Sequence, residues 1–142
     1  MIEAQLAGVN KRGFLSVLDF DAIELERCVD LAAALKRERP LGLRASSAST
    51  LAGLHVALLF DKPSLRTWST FDIAVRELGG AAVTLPADVA LGAREPVADV
   101  ARNLERWVVA AVIRTFAQTT VVEFALAEIG RASCRERVLR LV

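Results

Sequence analysis

Three short apolar runs, separated by segments of helical periodicity, place the strongest constraint on the fold of this chain. Residues 54–60, 81–85 and 108–113 are too short for core helices and are typical of strands buried on both faces of a parallel sheet. The segments between them repeat apolar residues every three or four positions, as amphipathic helices do. This alternation predicts an α/β fold with one parallel sheet and helices on both of its faces.

The first predicted helix begins at a capping pattern, in which Asp21 is followed three residues later by Glu24. Pro40 ends this helix because proline cannot continue it. We expect the helix to bury one apolar face, made of Ile23, Leu25, Val29, Ala32 and Leu35.

Three further helices are predicted. The second covers Arg66 to Leu78 and stops at Gly79-Gly80, and Pro96 is the first residue of the third. Residues 86–94 between them are predicted to form a loop, and Thr120 is expected to cap the fourth helix. The apolar face of the third helix is expected to contain Val97, Val100, Ala101, Leu104 and Trp107.

Composition excludes several classes of protein and site. The chain has 142 residues, enough for one domain, and no run of 18 apolar residues, so we expect no membrane span. We find no signal peptide at the start, and Cys28 and Cys134 form neither a disulfide framework nor a metal pattern, so a cytoplasmic location is expected. His55 cannot build a metal site alone. The formal charge of +1 comes from a basic tail, so the body of the chain is not a general nucleic-acid binder.

A candidate anion site follows the first strand. The loop from Lys62 to Thr67 leads directly into a helix, whose N-terminal N–H groups and partial positive charge suit a phosphate group. Ser64 and Thr67 add hydroxyls, Arg66 adds a planar set of donors, and Arg114 ends the third strand at the same edge of the sheet. Two alternatives stay open on this evidence: the hydroxyls are plain helix caps, and Arg114 is a solvated surface residue. No nucleotide-binding glycine loop and no Ser–His–Asp set is found.

The stretch from Phe60 to Gly80 resembles the signature of the aspartate/ornithine carbamoyltransferases. The segment Leu91–Leu104 is similar to the mobile loop and next helix of that family, and Val112-Ile-Arg114 is similar to its phosphate-site strand. The resemblance runs in order from about residue 14 to about residue 127. It implies that Arg66 and Arg114 are catalytic, and that carbamoyl phosphate is bound by Ser64, Leu65, Arg66, Thr67 and Arg114, with Arg94 reaching in from a neighbouring subunit.

The resemblance also implies a reaction. The carbamoyl group passes from carbamoyl phosphate to an amino-acid amine without a cofactor, in a homotrimer with shared sites. Ornithine is the favoured acceptor, giving citrulline and phosphate for arginine biosynthesis. An aspartate-specific enzyme and a non-catalytic phosphate-binding α/β domain are the alternatives. Leu65, Trp68 and Pro96 depart from the residues usual in the family at these positions, which weakens the assignment of the acceptor.

The tail of the chain departs from the family altogether. Residues 128–138 read like a translated sequencing adapter, so we expect a partial carbamoyl-phosphate-binding domain over residues 1–128 and a non-native tail over residues 129–142. The second domain, which holds the amine, and the histidine motif that follows the Arg114 strand in the family are missing. We therefore expect this chain to be inactive as it stands.

Overall fold

The computed structural model describes residue 14 and residues 19–61, 64–91 and 94–128. Lys62 and Pro63 of the predicted phosphate loop, and the tail over residues 129–142, lie outside the described residues. Helices and strands alternate along the chain as α1 (Ala22–Glu38), β1 (His55–Phe60), α2 (Leu65–Glu77), β2 (Ala81–Leu85), α3 (Ala87–Ala90), α4 (Val97–Leu104), β3 (Ala110–Arg114) and α5 (Gln118–Glu128). Two 3₁₀ turns, Arg39–Arg44 and Ser46–Ser49, join α1 to β1.

The three strands form one parallel sheet in the order β2-β1-β3. Leu58 at the centre of β1 pairs with Thr84 on one side and with Val112 on the other. After β2 the chain crosses over β1 to reach β3. The predicted parallel sheet is therefore confirmed, with β1 as its central strand.

Each face of the sheet carries its own core. On one face Leu59 and Ile113 pack with Leu104 of α4 and Phe124 of α5. On the other face Leu58 packs with Val112 of β3 and with Val75 of α2, and half-buried aromatic side chains of α2 cover them. A fully buried leucine or isoleucine contributes about 1.5–3 kcal/mol, so these strand residues account for much of the stability of the sheet. Helices on both faces are confirmed.

Helix α2 ends in a Schellman motif. The N–H of Gly79 donates to the carbonyl of Arg76 at 3.0 Å, and the N–H of Gly80 donates to the carbonyl of Val75 at 2.9 Å. Gly79 has φ +83°, which glycine adopts without strain. Because this stop lies at the amino edge of the sheet, the beginning of α2 lies at the carboxyl edge, next to the end of β1.

Helix α1 has its predicted start but not its predicted face. Asp21 and Glu24 exchange both bonds of a capping box, at 2.8 and 3.0 Å. Ile23 and Val29, however, are 61% and 68% exposed, and Ala32 is exposed as well, so the expectation of a buried face containing these three residues was wrong. The helix packs mainly on the two 3₁₀ turns, which cover only a narrow strip of its surface. The half-buried apolar residues of that strip are Leu25, Cys28, Leu31, Ala34 and Leu35.

Smaller corrections concern the ends of the later helices. Trp107 is 66% exposed because α4 ends at Leu104 and leaves it in the following turn. Pro96 is the N-cap of α4 rather than its first residue, and Thr120 lies inside α5, which begins at Gln118. The predicted loop 86–94 contains the single turn of α3. No helix in the described part of the chain is long and apolar enough to cross a membrane.

Candidate anion site where the sheet changes direction

The strand order creates a crevice at one place on the sheet. From β1 the chain passes through α2 on one face to β2, whereas β3 on the other side of β1 continues into α5 on the opposite face. The two connections leave the carboxyl ends of β1 and β3 in opposite directions. In open α/β sheets this switch point is where ligands bind, because the diverging connections leave room between them.

The ends of β1 and β3 are tied together at the floor of this crevice. The N–H of Asp61 donates to the carbonyl of Arg114 at 3.0 Å, which extends the strand ladder by one bond. The hydroxyl of Thr115 donates to Oδ2 of Asp61 at 2.7 Å. The side chains that follow these strands therefore start from fixed backbone positions.

Arg114 crosses the crevice toward the beginning of α2. Its Nη1 donates to Oγ of Ser64 and, at 2.6 Å, to Oγ1 of Thr67. All three side chains are half-buried. Three of the predicted site residues, separated by up to 50 positions in the chain, are thus brought together.

The N-terminus of α2 is open toward the same crevice. Ser64 is its N-cap, but the Ser64 side chain makes no capping hydrogen bond. The N–H of Trp68 donates to the carbonyl of Ser64 at 3.0 Å, so the N–H groups of the three preceding residues point out of the first turn. The alternative that Ser64 is only a helix cap is therefore wrong.

Arg114 also forms no ion pair with an acid among the described residues. The ion pairs recorded there are Arg39–Glu77, Arg76–Asp72 and Arg102–Asp99, and none of them involves Arg114. A half-buried guanidinium held by neutral hydroxyls beside an open helix N-terminus favours a bound anion. Its hydrogen bonds also distinguish Arg114 from a freely solvated surface arginine.

Other predicted residues lie on the same edge without joining this cluster. Leu65 is 81% exposed on the first turn of α2, and Arg66 beside it is exposed. The guanidinium of Arg66 makes no recorded hydrogen bond or ion pair with the residues that the structure describes. Arg94 is exposed in the connection between α3 and α4. No group of three or more histidine, cysteine, aspartate or glutamate side chains able to hold a metal ion occurs in the described ranges.

The sequence of residues 12–134 matches the family model of the carbamoyl-phosphate-binding domain of the aspartate/ornithine carbamoyltransferases. The chain belongs to this family. It is 45% identical over 115 residues to the ornithine carbamoyltransferase of Deinococcus radiodurans, covering 80% of this chain and 36% of that protein. It is 47% identical over 113 residues to that of Thermus thermophilus, covering 77% and 36% of the two chains. This chain thus spans a little over a third of the length of these curated relatives.

Solved structures of carbamoyltransferases have the same fold. The ornithine carbamoyltransferase of Thermus thermophilus superposes with a TM-score of 0.75 at 37% identity, covering 93% of this chain and 42% of that one. The enzyme of Pyrococcus furiosus gives 0.77 at 31% identity, with 91% and 39% covered. An aspartate transcarbamoylase from Trypanosoma cruzi in complex with carbamoyl phosphate gives 0.76 at 24% identity, which supports the fold alone.

Two departures from the carbamoyltransferase pattern have visible consequences at the site. The half-buried indole of Trp68 packs against the core on the α2 face, and its Nε1 donates to Oγ1 of Thr84 at 3.1 Å, so this position anchors α2 to β2. Leu65 presents an exposed apolar side chain at the first turn of α2, while its N–H stays at the open helix end.

Asp61 and Thr115 were missed by the sequence analysis. The signal for them was present, because each is a polar residue directly following a buried strand, and the two strands are neighbours in the sheet.

Proposed function

We propose that the crevice between β1 and β3 binds the phosphate group of carbamoyl phosphate, in an enzyme that transfers the carbamoyl group to an amine. One observation carries this proposal. The guanidinium of Arg114 has no acidic partner among the described residues and is held against Ser64 and Thr67, at the open end of α2.

The chemistry of these groups fits the phosphate group of an acyl phosphate. Phosphate oxygens accept hydrogen bonds from helix N–H groups, hydroxyls and guanidinium alike, and charge-assisted bonds of this kind are about twice as strong as neutral ones. Because Ser64 and Thr67 accept from Arg114, each hydroxyl proton remains available to a bound oxygen. Arg66, exposed on the first turn of α2, supplies a second guanidinium from the open side.

The proposed reaction needs positioned charge and no covalent intermediate. The lone pair of the amine forms a bond to the carbamoyl carbon, the bond from that carbon to the phosphate oxygen breaks, and phosphate leaves with the electron pair. The amine nitrogen loses a proton to the departing phosphate. Negative charge grows on the leaving oxygen, so Arg114 and the α2 N-terminus act by stabilising that charge.

Ornithine is the acceptor that we propose, with citrulline and phosphate as products. The relatives at 44–47% identity are ornithine carbamoyltransferases, while the aspartate transcarbamoylase structures share only 24% identity. A cytoplasmic homotrimer, with Arg94 entering the site of a neighbouring subunit, is part of the same proposal by likeness to the family.

The test is binding of carbamoyl phosphate to this chain, measured by isothermal titration calorimetry with fresh ligand. We expect Arg114→Ala to weaken binding by about 1.5–3 kcal/mol, roughly tenfold to a hundredfold, because a charge-assisted contact is lost. The matched control is Arg106→Ala, which removes an exposed arginine from the turn after α4, at the amino edge of the sheet.

Two outcomes would contradict the proposal. The first is an unchanged affinity in Arg114→Ala. The second is equal affinity of the unmodified chain for carbamoyl phosphate and inorganic phosphate, which is what the alternative of a non-catalytic phosphate-binding domain predicts.

A further inference from the structure

We propose that Thr115 is a positioning residue that occupies the carboxylate of Asp61 and so leaves the charge of Arg114 available to a bound anion. This inference rests on the proposed function, because it concerns how the same site keeps its affinity for phosphate. Neither Asp61 nor Thr115 contacts the anion directly in this proposal.

The geometry sets an acid directly beside the arginine. Phe60 pairs with Arg114 across the two strands, and Asp61 is the next residue after Phe60. The N–H of Asp61 donates to the carbonyl of Arg114 at 3.0 Å, so the backbones of the acid and the base are in contact. The side chain of Asp61 starts on the opposite side of the sheet from that of Arg114. A carboxylate so near the backbone of Arg114 competes with a phosphate for the guanidinium only if it turns to the Arg114 side.

The Asp61 carboxylate is hydrogen-bonded to a different partner. Oδ2 of Asp61 accepts the hydroxyl of Thr115 at 2.7 Å, while Nη1 of Arg114 donates to Ser64 and Thr67. No ion pair between Asp61 and Arg114 is formed, although their backbones are hydrogen-bonded. Consecutive residues of an extended chain point to opposite sides, so Arg114 and Thr115 reach different partners from adjacent positions.

The backbone also approaches the hydroxyl of Thr115 from a second side. The N–H of Ala117, just before α5, approaches Oγ1 of Thr115 at 3.5 Å. A hydroxyl that accepts from the backbone on one side directs its proton to the carboxylate on the other. Thr115 thus connects the approach to α5 with the carboxylate at the end of β1.

Loss of this hydroxyl has a predictable electrostatic result. When a half-buried carboxylate loses its hydrogen-bond donor, it is stabilised by pairing with a nearby cation. Arg114, which forms no ion pair, is the cation at the same strand ends. Pairing would neutralise the guanidinium and set a negative charge where the phosphate binds. The effect must vanish when Asp61 carries no charge, which separates it from a merely structural effect of Thr115.

The experiment is a double-mutant cycle on the full chain, with affinity for carbamoyl phosphate as the readout. We expect Thr115→Val to bind about tenfold more weakly, since an internal carboxylate competes for the guanidinium. Asp61→Asn should bind about twofold to threefold more tightly because one negative charge leaves the crevice. The double variant Asp61→Asn/Thr115→Val should recover the affinity of the unmodified chain to within about threefold.

Matched variants complete the design. Thr115→Ser keeps the hydroxyl and should rescue most of the loss in Thr115→Val. Thr50→Val makes the same substitution in the turn before β1, at the amino edge of the sheet, and should not change affinity. Circular dichroism and thermal unfolding verify that each variant is folded. If Thr115→Val does not fold, Asp61→Asn decides alone, because weaker binding in that folded variant contradicts the proposal.

The outcomes separate this inference from the proposed function. If the unmodified chain does not bind carbamoyl phosphate, both are overturned. The other case is that the unmodified chain binds and Arg114→Ala binds more weakly as expected. If Thr115→Val then binds normally, or the double variant stays as weak as Thr115→Val, only the role given to Thr115 is overturned.

Discussion

Arg114 and Arg66 contribute differently to the same edge of the sheet. Arg114 is already held by the two hydroxyls of Ser64 and Thr67, so little side-chain freedom remains for a ligand to remove. Arg66 is exposed and unrestrained within the described residues, and ordering a long side chain costs up to about 2 kcal/mol. The two arginines are therefore not equivalent, although the family resemblance assigns them similar roles.

At the scale of single residues we expect Arg66→Ala to be milder than Arg114→Ala. The ordering of Arg66 offsets part of its contact, so its removal should weaken carbamoyl phosphate binding by about 1 kcal/mol, roughly fivefold. Calorimetric titration measures this, with Arg76→Ala on the same helix as the matched control. Arg76 is exposed and lies in the last turn of α2, away from the crevice. It pairs with Asp72, one turn earlier in the helix. A loss in Arg66→Ala as large as in Arg114→Ala would show that Arg66 is also preorganised.

The residues around Arg114 show how much of a site can be predicted from the sequence. The helix N-terminus, the hydroxyls and Arg114 were predicted because each sits at the carboxyl end of a strand, and parallel strands end at one edge. The hydrogen bonds from Arg114 to Ser64 and Thr67 span 50 and 47 positions and depend on packing that no local pattern encodes. Asp61 and Thr115 were missed because a polar residue after a strand is common, and only the strand order shows that these two are neighbours.

At the scale of elements, the end of α2 makes the fold sensitive to one glycine. A Cβ added at Gly79 would lie 2.5 Å from the carbonyl oxygen of Ala48, in a backbone that other residues adopt only with strain. We expect Gly79→Ala to lower the free energy of unfolding by about 2 kcal/mol or more. Gly53→Ala is the matched control, since Gly53 also has a positive φ but its added Cβ would meet nothing within 4 Å.

The comparison separates strain from collision. Gly53→Ala should show only the backbone term, about 1 kcal/mol. Urea unfolding followed by circular dichroism gives both values. Equal destabilisation in the two variants would mean that the contact with Ala48 relaxes at no energetic expense.

The connection between α1 and the sheet should respond to acid. Glu38, the last residue of α1, accepts hydrogen bonds from the Ser47 hydroxyl at 2.8 Å, the Ser46 hydroxyl at 2.8 Å and the Ser47 N–H at 3.1 Å. Those bonds, led by the Ser47 hydroxyl, hold the pKa of Glu38 below its usual range. A lowered folded-state pKa means stability that is present above the usual value of about 4.3 and is lost as the pH falls through the folded-state pKa.

We therefore expect Glu38→Gln to lower the thermal midpoint at pH 7 and to have less effect at acid pH, where Glu38 is protonated in both states. Differential scanning calorimetry across that range measures the change. Glu26→Gln, an exposed glutamate of the same helix, is the control and should show no such pH dependence. A Glu38→Gln effect that is constant with pH would contradict the assignment.

At the scale of the whole molecule, the periodicity of the sequence predicts the order of strands and helices along the chain. It does not predict which elements pack beside each of them. The three apolar runs were predicted as strands because they are apolar on both faces. In the structure α2 packs on one face of the sheet, and α4 and α5 pack on the other. The prediction of the buried face of α1 was wrong because Ile23 and Val29 fit helical spacing equally well as core or as surface residues. Which side of a helix is buried depends on what lies beside it.

The whole chain should bind carbamoyl phosphate without transferring its carbamoyl group. The crevice presents groups suited to the phosphate, whereas the single histidine of the sequence, His55, begins β1 at the opposite edge of the sheet. A colorimetric citrulline assay with carbamoyl phosphate and ornithine tests this, with calorimetry on the same sample confirming that ligand is bound. Citrulline formed above the rate of a no-protein blank would refute the expectation.

Helix α2 is fastened at its two ends by different means, and this has a consequence for its motions. Its final turn is fixed by the Schellman motif and by the Leu51 N–H, which donates to the carbonyl of Leu78 at 2.8 Å. Its first turn is fixed by side chains, through Trp68 to Thr84 and through Ser64 and Thr67 to Arg114. Amide hydrogen exchange should therefore be slow at the last turn in any state, whereas exchange at the first turn should slow only when an anion bridges it to β3.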